Sequence, residues 1–396
     1  MPGRKDAGVI WAKRYDEFLI NKCGMRQSVV DRRLFALVDS DGTLLAHVHV
    51  DDTRLTFTSL KKREWFLRLW DAEFGDDAAS KSKLVDRPFD KDFVGIKRHV
   101  VDANTVEYSC LGVIKNLHDL IKAHGLPPGS SAQWPMSADA TRELRDSEPS
   151  AKYPHIPEKV ELARKICGTI GFVATHTRPD AYFGFCFLAR FQGPRLTERV
   201  FTHLLRLAWY LVGTKELPLV IHNDRVIPGK AWGRSGLITA WVDSSHGNAD
   251  GGRSYGGFVI MNNGGGALAW KCIPHPIATD SPGAQELMMG TACLKYIMGM
   301  RMLLLDLGVP ADEMGPTTMM TDSQIMLDGT ACEKLVKLSR WLAARYAMIR
   351  NGIASKLIDP TKVEGKMNVA DILTKPLCGL DFNAHRRTIL GLDHRT

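Results

Sequence analysis

At 396 residues the chain is long for a single hydrophobic core, so two or three domains are expected. Hydrophobic residues make up 44% and charged residues 24%, the balance of a soluble globular protein. No apolar run reads as long enough to cross a bilayer, and the opening "MPGRKDAG" lacks the apolar core of a signal peptide; both point to an intracellular protein, cytoplasmic or nuclear, with no membrane partner. The formal net charge of +8 suits a polyanionic partner, although many basic proteins bind no nucleic acid. The eight cysteines form no C-x-x-C pair, which argues against a zinc site or a disulfide framework and for core thiols.

Residues 9–24 pattern as an amphipathic helix carrying Ile10, Trp11, Tyr15, Phe18 and Leu19, with Gly24 as its stop. "RRLFALV", "DSDG" and "TLLAHVHV" read as strand, turn, strand, and Asp51 and Asp52 fall on the next turn, before a strand near "RLTF". "LKKREWFLRLW" patterns as a helix and "FVGIKRHVV" as a strand. Residues 125–157 are rich in Pro, Ser and Gly without a sustained period, and read as a linker or long surface loop. Residues 158–214 are helical, with Pro179 opening one helix and Thr197 capping another that ends at Gly213. From residue 236 the order is βββαβαβα. "LITAWVD", "GGFVIMN" and "ALAWKC" are strands. A long helix follows Ser281 and Pro282, then strand "TTMMTD", helical "KLVKLSRWLAARYAMIRNG", strand "SKLID" and a last helix at "MNVADILTK".

Acids in this last region fall at telling places. Asp243 and Asp322 end strands, Glu286 lies in the early turns of the long helix, and Asp371 lies in the final helix. An acid at a half-buried strand end is unfavourable unless something compensates it, and a divalent cation is one such compensator. Four carboxylates at one sheet edge can hold two cations that clamp the attacking and leaving oxygens of a phosphodiester. Each acid also has a plainer reading: Asp243 and Asp322 as turn or helix caps, Glu286 as a charge favoured by the helix dipole, Asp371 as a solvated group. Arg178, Arg190, Arg206, Lys271, Arg340, Arg345 and Lys375 are candidates for tracking phosphates. Trp241 and Trp270 read as core, and His246 as a loop residue.

Several motifs resemble one family in collinear order. "HVDD" stands where copia-type retrotransposon polyproteins carry Tyr-Val-Asp-Asp in the polymerase palm. "TRPDAYFGFCFLARF" resembles their segment after the palm, "RLAWYLVGT" a helix end beyond it, "RSYGGFVIMNNGGGALAWKC" two ribonuclease H strands, and "VADILTKPL" their signature ending. The resemblance implies a fold of mixed α/β and α+β character. Residues 1–124 would be a truncated reverse-transcriptase palm remnant and 125–157 a linker. Residues 158–233 would be a helical thumb or connection, and 234–396 an RNase H-like domain with a mixed five-stranded sheet and helices. Asp243, Glu286, Asp322 and Asp371 match the family's four catalytic carboxylate positions, which implies two Mg²⁺ ions, with Mn²⁺ as a substitute. Asp51 and Asp52 would be a vestigial polymerase site. The chain begins at a segment resembling one downstream of the strand that bears the polymerase's other aspartate, so polymerase activity is not expected.

The resemblance implies a ribonuclease H that cuts the RNA strand of RNA–DNA hybrids, attached to an incomplete reverse transcriptase. Its partners would be hybrid or other nucleic acid and other parts of a longer polyprotein. Arg340, Arg345 and Lys375 would contact the nucleic acid. Two departures stand out: "GAQE" replaces the family's acidic, Ser/Thr-rich approach to Glu286, and Trp341 takes the place of a histidine, while Arg345, Tyr346 and Arg350 are kept. The alternative is a catalytically inactive transposon remnant or nucleic-acid-binding module.

Overall fold

The computed structural model describes residues 6–50, 52–75, 92–126, 133–223, 237–263, 265–278, 281–331 and 340–394. The chain divides into two compact units: residues 1–94 with 298–314, and residues 95–297 with 315–396.

In the first unit, helix α1 (Ala7–Glu17) runs into a π-helical turn at Phe18–Lys22, and Gly24 then takes a φ of +64° that ends the helical path. Strands β1 (Arg26–Gln27), β2 (Leu34–Asp39), β3 (Gly42–His49) and β4 (Asp52–Phe57) form an antiparallel meander in that order. Helix α2 (Leu60–Phe74) follows, its first turn capped by Ser59 Oγ, which accepts from Lys62 N at 3.2 Å. The period-two pattern of β3 buries Leu44, Ala46 and Val48. They share a core with Phe35 and the aromatic residues Tyr15, Phe18, Phe66, Trp70 and Phe74. Residues 298–314 are tied in through Asp306, whose Oδ2 accepts from Ser28 Oγ at 2.6 Å.

The second unit opens with β5 (Lys97–Asp102), β6 (Thr105–Ser109) and helix α3 (Leu111–Ala123). Helices α4 (Ala138–Leu144), α5 (Val160–His176), α6 (Tyr182–Ala189) and α7 (Glu198–Gly213) follow, and then β7 (Leu219–His222), which pairs with β6 to complete a three-stranded antiparallel sheet. The remainder is β8 (Ile238–Ser244), β9 (Tyr255–Asn262), β10 (Ala267–Pro274), α8 (Pro282–Asp306, of which residues from 298 onward fall in the first unit), β11 (Thr317–Thr321), α9 (Gln324–Ala331), α10 (Arg340–Ala354), β12 (Ile358–Lys362) and α11 (Gly379–Ile389). Its sheet has the order β10-β9-β8-β11-β12. β8, β9 and β10 are antiparallel, whereas β11 runs parallel to both β8 and β12. This is the mixed five-stranded sheet of an RNase H-like fold. One hydrophobic core runs from Cys110 to Leu392, joining helices α3–α7 to the five-stranded sheet.

Four expectations need correction. The stretch 125–157 is not all linker: it contains α4, where Ala140 and Leu144 are buried along with the preceding Met136. Residues 95–124 belong with the second unit, because β6 pairs with β7 and Ile114, Leu117 and Ile121 enter the second unit's core. The "MNVADILTK" segment is two short 3₁₀ turns, Gly365–Met367 and Val369–Leu373, and the last full helix is α11 beyond it. Finally, α8 is long and apolar enough by length and composition to cross a membrane. Its Leu287, Met289, Cys293, Leu294 and Ile297 are buried, whereas Tyr296, Met298, Met302 and Leu305 are exposed.

Candidate active site

β8 is buried over Thr239–Asp243, so its apolar residues deliver Asp243 to the sheet edge at 2% exposure. β11 runs parallel to β8 and ends at Thr321, so Asp322 arrives at the same edge. Glu286 comes from the first turns of α8, and its Oε1 accepts from Ser244 N at 3.3 Å. One carboxylate oxygen from each of Asp243, Glu286 and Asp322 lies within 4.8 Å of the others.

The segment after β12 closes over this edge. Asp243 pairs across the sheet with Gly257 of β9. A Cβ at 257 would come within 2.8 Å of Leu373 Cβ and 2.9 Å of Thr374 Cγ2, so glycine is what allows the close approach. Asn368 Nδ2 donates to Val242 O at 3.0 Å and to Asp322 Oδ1 at 3.2 Å, and Asn368 Oδ1 accepts from Ala370 N. Thr374 Oγ1 donates to Asp243 Oδ2. Lys375 Nζ lies 2.9 Å from Asp371 Oδ1 and 3.7 Å from Asp243 Oδ2.

Burial sets the protonation of the group. It raises the Asp243 carboxyl, an effect that Lys375 and Thr374 partly offset. Burial, then the charges of Asp243 and Asp322, push Glu286 well above the usual range. Burial, then Asp243, raise Asp371 to about 7 against the pull of Lys375. Burial alone would lower the Lys375 ammonium, but Asp243 and Asp371 outweigh it and the net direction is upward.

A divalent cation fits these residues. The donors are all carboxylate oxygens, the set that Mg²⁺ and Mn²⁺ take. Among the described residues, Glu286 Oε2 is buried without a hydrogen-bond partner, and the Lys375 ammonium contacts Asp243 and Asp371.

Of the sequence-derived residues, Asp243, Glu286 and Asp322 converge, and Asp371 joins them through Asp243 and Lys375. Lys375 contacts two of the carboxylates, at 2.9 Å from Asp371 and 3.7 Å from Asp243, with its side chain 39% exposed. Arg178 is not a phosphate contact: it is buried in a two-point ion pair with Asp180, 2.9 Å and 2.8 Å apart. Arg190 pairs with Asp250 at 2.9 Å. Arg345 is half-buried on α10, and the side chains of Arg340 and Trp341 lie outside the described residues, as does Asp51. Asp52 opens β4, exposed and opposite His49. His246 is exposed, as a loop residue would be, and Trp241 and Trp270 are core. Asn368, Thr374 and Gly257 escaped sequence reasoning, although Asn368 and Thr374 sit within three residues of Asp371. So did His275, whose Nε2 lies 3.1 Å from Ser244 Oγ and which burial lowers to about 4, leaving it neutral.

No family model matches the chain. It is 20% identical over 381 residues to the Gag-Pol polyprotein of transposon Ty1-DR1 of Saccharomyces cerevisiae, covering 95% of this chain and 20% of the polyprotein. It is likewise 20% identical over 380 residues to that of Ty1-DR6 of the same organism, with the same coverage of 95% and 20%. The chain thus spans about one fifth of the length of these curated relatives. Among solved structures, a foamy viral protease-reverse transcriptase in complex with RNA/DNA hybrid is 11% identical, with a TM-score of 0.42, covering 92% of this chain and 39% of that one. LC11-RNase H1 in complex with RNA/DNA hybrid is 18% identical, with a TM-score of 0.27, covering 35% of this chain and 93% of that one. In its collinear motifs and its similarity to the Ty1 polyproteins, the chain resembles the reverse transcriptase and ribonuclease H region of copia-type retrotransposon polyproteins.

Proposed function

We propose that the second unit is a divalent-metal-dependent endonuclease that hydrolyses the RNA strand of RNA–DNA hybrids. The observation that carries this reading is the convergence of Asp243, Glu286 and Asp322 at one sheet edge, with a buried Glu286 oxygen that lacks a partner. Asp243, Glu286 and Asp322 would hold one cation, and Asp243 with Asp371 a second, with Mg²⁺ the expected ion and Mn²⁺ a substitute. When bound, such cations would supply charge for activating a water and stabilising the leaving 3′ oxygen. Thr374 and Asn368 fix the Asp243 and Asp322 carboxylates, and Ser244 N fixes Glu286. The A-like shape and 2′-hydroxyls of the hybrid mark the strand to be cut. Arg340 and Arg345, on α10, are assigned to the nucleic-acid contact. The setting is intracellular, within a longer polyprotein.

The first unit is read as part of a polymerase palm, with Asp51 and Asp52 vestigial. Primer extension by the purified chain would contradict this.

A second reading, a nucleic-acid-binding remnant without catalysis, is favoured by one observation: Lys375 already contacts two of the four carboxylates. A labelled hybrid incubated with the protein in Mg²⁺, Mn²⁺ or EDTA separates the two. Metal-dependent loss of the RNA strand supports the nuclease, and binding without cleavage in every condition selects the remnant.

A further inference from the structure

We propose that Lys375 is a built-in counter-ion that holds the place of the second cation between Asp243 and Asp371. The proposal rests on the metal-dependent reading above and says how that site is regulated. Lys375 Nζ touches both carboxylates, at 2.9 Å from Asp371 Oδ1 and 3.7 Å from Asp243 Oδ2. Asp243 is 2% exposed and Asp371 9%, so neither can rely on water for solvation, and an ammonium is the cheapest partner the chain can supply. Glu286 has no such partner for its Oε2. The carboxylates therefore divide into a side open to a first cation, formed by Glu286, Asp322 and one edge of Asp243, and a side already filled by lysine.

The lysine is also able to leave. Its side chain is 39% exposed, and it follows directly on Thr374, which is fully buried and bonded to Asp243. The backbone is thus anchored, while the flexible four-carbon stem can swing its ammonium into solvent. A divalent cation between Asp243 and Asp371 would lie where the ammonium now sits, and two positive charges at that separation repel strongly. The second cation binds only when Lys375 withdraws, so the two cations bind with unequal affinity. The phosphates of a bound nucleic acid offer the displaced ammonium a new partner, which couples filling of the second position to substrate.

The test is cation binding to the full chain without nucleic acid, followed by Mn²⁺ paramagnetic resonance and by melting curves, in wild type, Lys375→Gln and Lys375→Arg. Removing the ammonium is expected to tighten the weaker cation at least about tenfold, with less effect on the tighter one. It is also expected to lower the melting temperature in EDTA and to abolish or reverse that deficit at saturating metal. Lys375→Arg keeps the charge and should resemble wild type. If Lys375→Gln does not fold without metal, the double variant Lys375→Gln/Asp371→Asn, which removes the unpaired acid as well, should restore the metal-free fold. Normal cation binding that is identical in wild type and Lys375→Gln overturns the counter-ion role and leaves the metal-dependent reading intact. Failure of both proteins to bind any divalent cation overturns both.

Discussion

At the residue scale, the site is a concentration of negative charge that the fold compensates only in part. Among the described residues, Asp243 has Thr374 and Lys375, Asp322 has Asn368, and Glu286 has only a backbone N–H on one oxygen. Asp243→Asn removes one charge and keeps the shape. Its melting temperature in EDTA should equal or exceed that of wild type, while its gain on adding Mg²⁺ should be blunted. Were Asp243 merely a cap, the substitution would cost about 1 kcal/mol with no dependence on metal. The same charges set a pH dependence. The folded Asp371 carboxyl titrates near 7, above its ordinary 3.8, so the folded state holds that proton more tightly than the unfolded state does. In EDTA, stability should be greatest at or below pH 3.8 from this group, fall as pH rises, and level off near pH 7. Asp371→Asn or saturating Mg²⁺ should flatten that slope, and a stability that rises through this window would contradict the assignment. The four acids were legible in the sequence because each follows or interrupts an apolar run. The roles of Thr374, Asn368 and Lys375 were not, because a hydroxyl, an amide or an ammonium reveals its partner only once the chain end has folded over β8.

At the scale of elements, the clearest device is the link between the turn before α6 and the end of α7. Arg178 and Asp180 are buried together. Arg178 Nη1 also donates to Thr214 O at 3.0 Å and its Nη2 to Thr214 Oγ1 at 2.8 Å, while Tyr210 Oη donates to Asp180 Oδ2. Sequence alone reads Arg178 of "TRPD" as a phosphate contact, because it does not reveal that an arginine is fully enclosed. Asp180→Asn leaves a buried guanidinium without its counter-charge and should destabilise the second unit by about 3–5 kcal/mol in urea unfolding. A phosphate-binding arginine would instead leave stability unchanged and weaken nucleic-acid binding. α4 was missed for a different reason. A seven-residue helix is too short to display a period, and the Pro- and Ser-rich sequence around it reads as loop.

At the scale of the molecule, the sheet that bears the acids is not an independent body. Trp270 Nε1 donates to Ala174 O at 3.0 Å, Tyr255 packs on Phe183 and Phe187, Tyr210 packs on Phe382, and Val220 N donates to Leu390 O at 2.9 Å. The sequence pattern placed a boundary at 234 because strand periodicity begins soon after it. Periodicity reports the element that carries it and not the surface against which that element packs. A fragment of residues 234–396 would bare those contacts, and should melt well below the full chain or aggregate; equal melting temperatures would restore the boundary at 234. The most direct test of the central claim is cleavage of the RNA strand of an RNA–DNA hybrid by wild type and Asp243→Asn side by side, in Mg²⁺ and in EDTA. RNA fragments are expected from wild type in Mg²⁺ and from neither protein otherwise. Equal cleavage by the two proteins, or cleavage that persists in EDTA, would contradict a metal-dependent site at these carboxylates.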